Sequence, residues 1–221
     1  EGVPYIAMEL LEGESLGARL ARLRRLPYGD TVRVVSHVGR ALAKAHEVAL
    51  SVNRRFPLSL ASEGSCTIGG LASTNAGGTA VLRYGVMRDQ ILGIEAVLPN
   101  GEVWNGLKRL RKDNTGYDLK HLLIGAEGTL GVITAASLKL HPQLASRCVA
   151  VAAVATPYDA IALLARAKDE TGGAVEAFEL MSRLGVAFAL KNIPGLREPL
   201  EAAHPWYVLV ETASGEPGAA E

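Results

Sequence analysis

Gly64-Ser65-Cys66-Thr67-Ile68-Gly69-Gly70-Leu71-Ala72-Ser73-Thr74-Asn75-Ala76-Gly77-Gly78 decides how the rest of the sequence is read. Two glycine pairs enclose small residues with hydroxyl and amide side chains. Where no Cβ stands in the way, peptide N–H groups can approach a phosphate or the polar edge of a planar ring. The hydroxyls of Ser65, Thr67, Ser73 and Thr74 and the amide of Asn75 add donors and acceptors. The alternative is a glycine-rich joint between a turn and a helix, packed in a core. The spacing fits neither a G-x-G-x-x-G fingerprint nor a phosphate loop ending in Lys-Ser/Thr.

Of the 24 glycines, 13 fall between Gly64 and Gly131, which marks this stretch for chemistry. A second glycine loop, Gly125-Ala126-Glu127-Gly128-Thr129-Leu130-Gly131, runs into Val132-Ile133-Thr134. It either lets a ligand lie against the main chain or is a helix C-cap followed by a tight entry into a strand. Between the loops, Lys108-Arg109-Leu110-Arg111-Lys112 precedes Asp113-Asn114-Thr115-Gly116-Tyr117-Asp118-Leu119. This cluster either steers an anionic carboxylate or is a solvated loop, with Asp118 capping a following helix.

The 221 residues suit one or two domains. Lys+Arg and Asp+Glu balance at 23 each, so no basic footprint argues for nucleic acid. A hydrophobic content of 48% excludes intrinsic disorder. No apolar run approaches the roughly 20 residues of a membrane span, so no transmembrane segment is expected. Cys66 and Cys148 make no disulfide framework, and the expected location is cytoplasmic. His37, His46, His121, His141 and His204 show no metal-ligand spacing, and no G-x-S-x-G nucleophile motif occurs.

Along the chain, residues 5–11 read as a strand. Ser15 caps a helix over Leu16–Arg25, and Asp30 caps a second with apolar Val34, Val35, Val38, Leu42 and Ala45 at helical spacing. Residues 48–55 look like a seam with no clear turn signal, and the boundary between a first segment 1–50 and the rest is expected at 51–55. Ile91–Leu98 reads as a strand, Asn100-Gly101 as a hairpin turn and 102–104 as the return. A helical turn or two is expected over 118–124 and strands over 132–140, 147–155, 175–181 and 206–212. Helices are expected over 157–170, with Pro157 at its start, and over 182–191. The tail 215–221 reads as disordered or as a cut end.

Phe56-Pro57-Leu58-Ser59-Leu60-Ala61-Ser62-Glu63, the loop 64–78, Leu82-Arg83-Tyr84-Gly85, 111–119 and 125–131 together resemble the FAD-linked oxidoreductases of the vanillyl-alcohol-oxidase type. The branch is that of D-2-hydroxyglutarate dehydrogenase, D-lactate dehydrogenase and the glycolate oxidase FAD subunit. Phe178-Glu179-Leu180-Met181 and Trp206-Tyr207-Val208-Leu209 extend the resemblance, which covers about 56–214. Leu71 departs from it, standing where the family often has Asn. The resemblance implies an α+β fold: the second half of an FAD-binding domain over 56–142, then the start of a substrate-cap domain over 143–214. It implies FAD contacts at Gly64, Ser65, Thr67, Ile68, Gly69, Gly70, Ser73, Thr74, Asn75, Gly77 and Gly78, with Gly128, Gly131, Val132 and Ile133 closing over the cofactor. Gly69, Gly70, Gly77 and Gly78 would then share one concave surface with Gly128 and Gly131. The implied reaction removes hydride from a D-2-hydroxyacid, and a separate electron acceptor follows.

Two pieces of the family pattern do not occur in the sequence. Nothing has the form Pro-x-Gly-Gly-x-Thr-Gly, and the substrate-binding Arg and Lys, the catalytic base and any divalent-metal ligands are expected beyond Glu221. No catalytic residue is assigned. Residues 1–50 resemble a fragment of a bacterial Ser/Thr protein kinase: Pro4–Leu16 its hinge strand, Thr31–Glu47 the helix before its catalytic loop. The kinase loops themselves are absent. This implies a fusion near residue 50, with an apolar stripe at Val34, Val38 and Leu42 left exposed. The competing expectations are therefore a portion of a flavin-dependent dehydrogenase, an inactive chimera that retains no flavin and, third, a kinase fragment.

Overall fold

The computed structural model describes residues 5–9, 41–110 and 112–218. They divide into two compact units, one of residues 1–78 with 84–143, the other of residues 79–83 with 144–221.

The first unit is built on a four-stranded antiparallel sheet of β1 (Tyr5–Glu9), β5 (Val132–Lys139), β3 (Ile91–Val97) and β4 (Val103–Gly106), in that spatial order. β5 lies second from one edge, and Ile133 to Leu138 are buried without interruption, as expected for a strand covered on both faces. The Asn100-Gly101 turn between β3 and β4 forms as expected, with Gly101 N–H donating to Leu98 O at 2.9 Å. A two-stranded ribbon pairs β2 (Arg54–Arg55) with β6 (His141–Pro142). It is tied to the core loops by aromatic contacts: Tyr84 packs edge-on against His141 at 4.7 Å, with the Arg55 guanidinium 5.3 Å from the Tyr84 ring centre.

The apolar positions of α1 (Ala41–Ser51) recur at helical spacing, and Leu42, Ala45 and Ala49 enter the core beside Phe56, Ile68 and Leu138. This overturns the exposed stripe expected at Leu42, which has no exposed surface; Val34, Val38 and the expected helix over 16–25 lie outside the described residues. Residues 48–51, read as part of a seam, continue the helix. Asn53 ends it in the left-handed conformation at φ 53°, with its N–H on Leu50 O at 2.9 Å. His46 joins α1 to the following loop, its two ring nitrogens lying 2.7 Å from Glu63 Oε1 and 2.9 Å from Leu58 O.

Short helices follow in the loops: α2 (Ile68–Ser73), α4 (Met87–Gln90) and α5 (Lys120–Leu123) in this unit, and α3 (Val81–Tyr84), whose residues 81–83 belong to the second.

In the second unit, β7 (Ser146–Val154), β9 (Trp206–Ser214) and β8 (Val175–Ser182) form an antiparallel sheet with β9 central. The helix α6 (Pro157–Glu170) begins where its local signals say. Thr156 Oγ1 accepts from Asp159 N–H at 3.2 Å, and Asp159 Oδ2 accepts from Thr156 N–H at 2.9 Å, a capping box with Pro157 inside it. Ser182 likewise caps α7 (Arg183–Asn192). Tyr207 is fully buried; its hydroxyl donates to Glu198 Oε1 at 2.5 Å and accepts from His204 N–H at 2.9 Å. Glu176 is also buried, with Arg147 at 3.6 Å and Arg83 at 3.9 Å.

Leu42→Ala tests the packing of α1. Removing a fully buried leucine costs about 2–5 kcal/mol, against within ~0.5 kcal/mol for an exposed site. Urea denaturation is expected to show the larger loss for Leu42→Ala and the smaller for Leu50→Ala, an exposed leucine on the same helix.

Candidate cofactor-binding site

The loop 64–78 folds around α2. Thr67 Oγ1 accepts from Gly70 N–H at 2.8 Å and caps the start of the helix. Thr74 N–H donates to Gly70 O at 3.0 Å at its end. A six-residue helix gains little from its own cooperativity, so it depends on outside partners. The second glycine loop supplies them. Gly125 N–H donates to Ala72 O at 3.0 Å, and Glu127 N–H to Ser73 O at 2.9 Å. Two segments about fifty residues apart in sequence are therefore joined main chain to main chain.

Several of the side chains expected at the cofactor are engaged within the loop. The Ser65 hydroxyl donates to Ser62 O at 3.2 Å and the Thr74 hydroxyl to Gly70 O at 3.0 Å, while Asn75 Oδ1 accepts from Arg88 N–H at 2.9 Å. With Thr67 engaged as a cap, most of the side chains expected to face a ligand organise the loop itself. Ile68, Gly69 and Ile133 are buried, the two isoleucines in the apolar core, whereas Gly64, Gly70, Gly78, Gly128 and Val132 are exposed. Gly131 is buried where β5 begins.

Gly78 is required by its surroundings. It sits at φ +86°, and a Cβ there would lie 2.4 Å from Ser59 O. Cys66 sits in the same loop; burial, the largest effect, pushes its thiol pKa up, away from a reactive thiolate.

Two lysines in and after the basic stretch are paired with nearby carboxylates. Lys108 Nζ contacts Asp113 Oδ2 at 2.5 Å, and Lys120 is paired with Asp118. The hydrogen bond from Lys108 holds the Asp113 carboxyl below its ordinary value, aided by Thr115 N–H, which donates at 3.2 Å. Burial pushes Asp118 up, but the hydrogen bond and charge of Lys120, with His121 and Lys108, outweigh it and leave the carboxyl lowered. Each pair cancels a cation that anion steering would need. Asp118 does not cap α5 through its side chain; Leu119 occupies that position. Lys108, Thr115, Tyr117 and Lys120 line a small cleft with Leu92 at its wall.

Sequence reading missed Arg88. Its side chain donates to His121 O at 2.7 Å and to Ile124 O, reaching across more than thirty residues. No local motif signals such a contact.

The FAD binding domain family matches residues 14–106, a span that runs through the expected seam at 51–55. The mitochondrial D-2-hydroxyglutarate dehydrogenase of Arabidopsis thaliana is 43% identical over 161 residues, 73% of this chain and 29% of the relative. A D-2-hydroxyglutarate–pyruvate transhydrogenase of Saccharomyces cerevisiae is 42% identical over 179 residues, 79% of this chain and 35% of the relative. The mitochondrial D-2-hydroxyglutarate dehydrogenase of Bos taurus is 45% identical over 163 residues, 74% of this chain and 30% of the relative. The chain thus spans about a third of the length of these curated relatives. A solved alkyldihydroxyacetonephosphate synthase shares the fold, with TM-score 0.63 at 18% identity over 81% of this chain and 34% of that one.

These matches support the FAD-linked oxidoreductases of the vanillyl-alcohol-oxidase type as the family, with FAD as the family cofactor. The cytoplasmic location expected from the sequence is overturned, because the plant and bovine relatives are named as mitochondrial. Among the described residues no helix is long and apolar enough to cross a membrane.

Gly78→Ala is expected to destabilise the fold. The left-handed conformation alone costs an alanine about 1–2 kcal/mol, and the contact with Ser59 O adds to it. Gly64→Ala, where a Cβ meets nothing within 4 Å, is expected to be near neutral. Thermal melts of the two variants make the comparison.

Proposed function

We propose that this chain is part of an FAD-dependent dehydrogenase that oxidises a D-2-hydroxyacid, with D-2-hydroxyglutarate the first substrate to test and D-lactate and glycolate next. The observation that carries the reading is the main-chain junction of the two glycine loops, in a chain 42–45% identical to the three relatives above. Bound FAD supplies the hydride acceptor, and a second partner takes up the electrons.

The residues present fit that cofactor. Gly64, Gly78 and Gly128 are exposed, and no atom lies within 4 Å of a Cβ built at Gly64 or Gly128. Exposed Leu130 and Val132 beside the second loop offer apolar surface to a planar ring, which removes water from its face. In this reading Ser65, Thr67, Gly69, Gly70, Ser73, Thr74 and Asn75 hold loop shape, while the peptide groups of Gly64, Gly77–Gly78 and Gly128 contact the cofactor. Ile68, Ile133 and Gly131 back the loops from the core.

We assign 56–142 to the FAD-binding domain and 143–214 to the start of the substrate cap. The division of the structure after Gln143 supports the boundary, and the packing of α1 supports adding 41–55 to the first domain.

Within residues 1–221 nothing of the form Pro-x-Gly-Gly-x-Thr-Gly occurs. Two lost bonds to a charged pyrophosphate, at roughly 1.5–3 kcal/mol each, weaken binding by about 10²–10⁴-fold. Titration of the purified chain with FAD, read by flavin fluorescence, is expected to show reversible, saturable binding that does not survive gel filtration. Stoichiometric flavin that D-2-hydroxyglutarate bleaches would make the chain a working enzyme by itself. Absence of any binding would overturn the flavin-site assignment and leave the inactive-chimera reading.

A further inference from the structure

We propose that Arg88 is a positioning residue for the flavin site, holding the two glycine loops against each other. The role as flavin site rests on the function proposed above; the role as loop clamp rests on the geometry alone.

Arg88 touches both loops with different atoms. Its main-chain N–H donates to Asn75 Oδ1 at 2.9 Å, at the end of the first loop. Its side chain reaches the residues that open the second: one guanidinium nitrogen donates to His121 O at 2.7 Å, the other to Ile124 O. These carbonyls close α5, where the helix leaves them without an internal partner. A planar guanidinium reaches the two carbonyls from two separate nitrogens in fixed directions; an ammonium has one nitrogen and no such fork. A Cβ at Gly125 would lie 3.1 Å from Arg88 Nη2 and 3.4 Å from Asn75 Cβ, so the second loop passes against Arg88 and Asn75 together.

The residue is well anchored for this task. It sits on α4 between Met87 and Gln90, both buried, and Met87 N–H donates to Ala76 O at 2.8 Å. With Arg88 in place, Gly125 and Glu127 are held where their N–H groups meet Ala72 O and Ser73 O.

The clamp carries a protonation condition. His121 Nδ1 lies 3.1 Å from Arg88 Nη1 and must offer a lone pair there, while His121 Nε2 faces Asp118 Oδ2 at 3.3 Å. Arg88, Lys120, Asp118 and Asp89 are the charged groups acting on this ring. Burial, then the charge of Lys120, and also that of Arg88, hold His121 below its ordinary value against the opposing pull of the two carboxylates. The neutral ring is the form that fits. The contact is therefore complete above the ordinary histidine value and weakens as pH falls through the lowered one.

Hydrogen exchange on the 221-residue chain tests this. Arg88→Gln is expected to speed exchange of the Gly125 and Glu127 amides at least tenfold, with the amides of β3 and β5 unchanged. FAD titration of the variant is expected to fail to saturate where the parent chain does. After correction for the intrinsic rate, Gly125 exchange in the parent should rise in acid and lose that pH dependence in the variant. Arg88→Lys, which keeps the charge and loses the fork, should show an intermediate effect, and it serves the same comparison if Arg88→Gln does not fold. Unchanged protection of Gly125 and Glu127 overturns the proposal. Faster exchange with an unaltered, saturating FAD curve keeps the loop clamp and overturns its role in positioning the flavin site, while absence of FAD binding by the parent chain itself overturns the flavin assignment and not the clamp.

Discussion

The candidate site depends on two main-chain hydrogen bonds, from Gly125 to Ala72 and from Glu127 to Ser73. They tie the last two carbonyls of a six-residue helix to a distant loop; Ala72 O also accepts locally from Asn75 N–H at 3.1 Å. They also convert a sequence separation of about fifty residues into direct contact. Thr67 does the corresponding work at the helix start, so α2 is closed at both ends by residues outside it. Behind it the apolar core runs without a break from α1 to β5, which gives these loops a fixed wall to fold against.

This arrangement separates recognition from architecture. Side-chain oxygens that look available for a ligand are engaged with nearby backbone: Ser65 with Ser62, Thr74 with Gly70, Asn75 with Arg88. Local bonds of this kind are the usual habit of short polar side chains in turns. What remains open to a cofactor is largely peptide and apolar surface. Charge follows the same pattern, since Asp113 and Asp118 neutralise Lys108 and Lys120 before either can act at a distance.

Elements whose determinants lie within a few residues were legible in the sequence. Thr156, Pro157 and Asp159 announce α6, and Asn100-Gly101 announces the β3–β4 hairpin. The glycine loops were legible as a meeting point only through family resemblance, because nothing in either loop names the other. Contacts of long sequence separation were not legible at all: the reach of Arg88 to Ile124, the pairing of β2 with β6, and β1 lying along β5. The passage from α1 through residues 48–55 was misread as a seam because its one stop signal, Asn53, is a residue whose left-handed conformation composition does not reveal.

The short segment 79–83 belongs with residues 144–221 although both its neighbours in sequence belong elsewhere. The polypeptide thus changes unit at three points, after Gly78, after Arg83 and after Gln143. Dissection by a single cut at 143/144 would not yield two self-sufficient pieces. The C-terminal piece would leave Arg83 behind and keep Glu176, a carboxylate with 1% exposure, with one of its two arginines gone. A buried charge deprived of a partner is costly, so a C-terminal piece made alone would have to carry residues 79–83 by permutation, or replace Glu176.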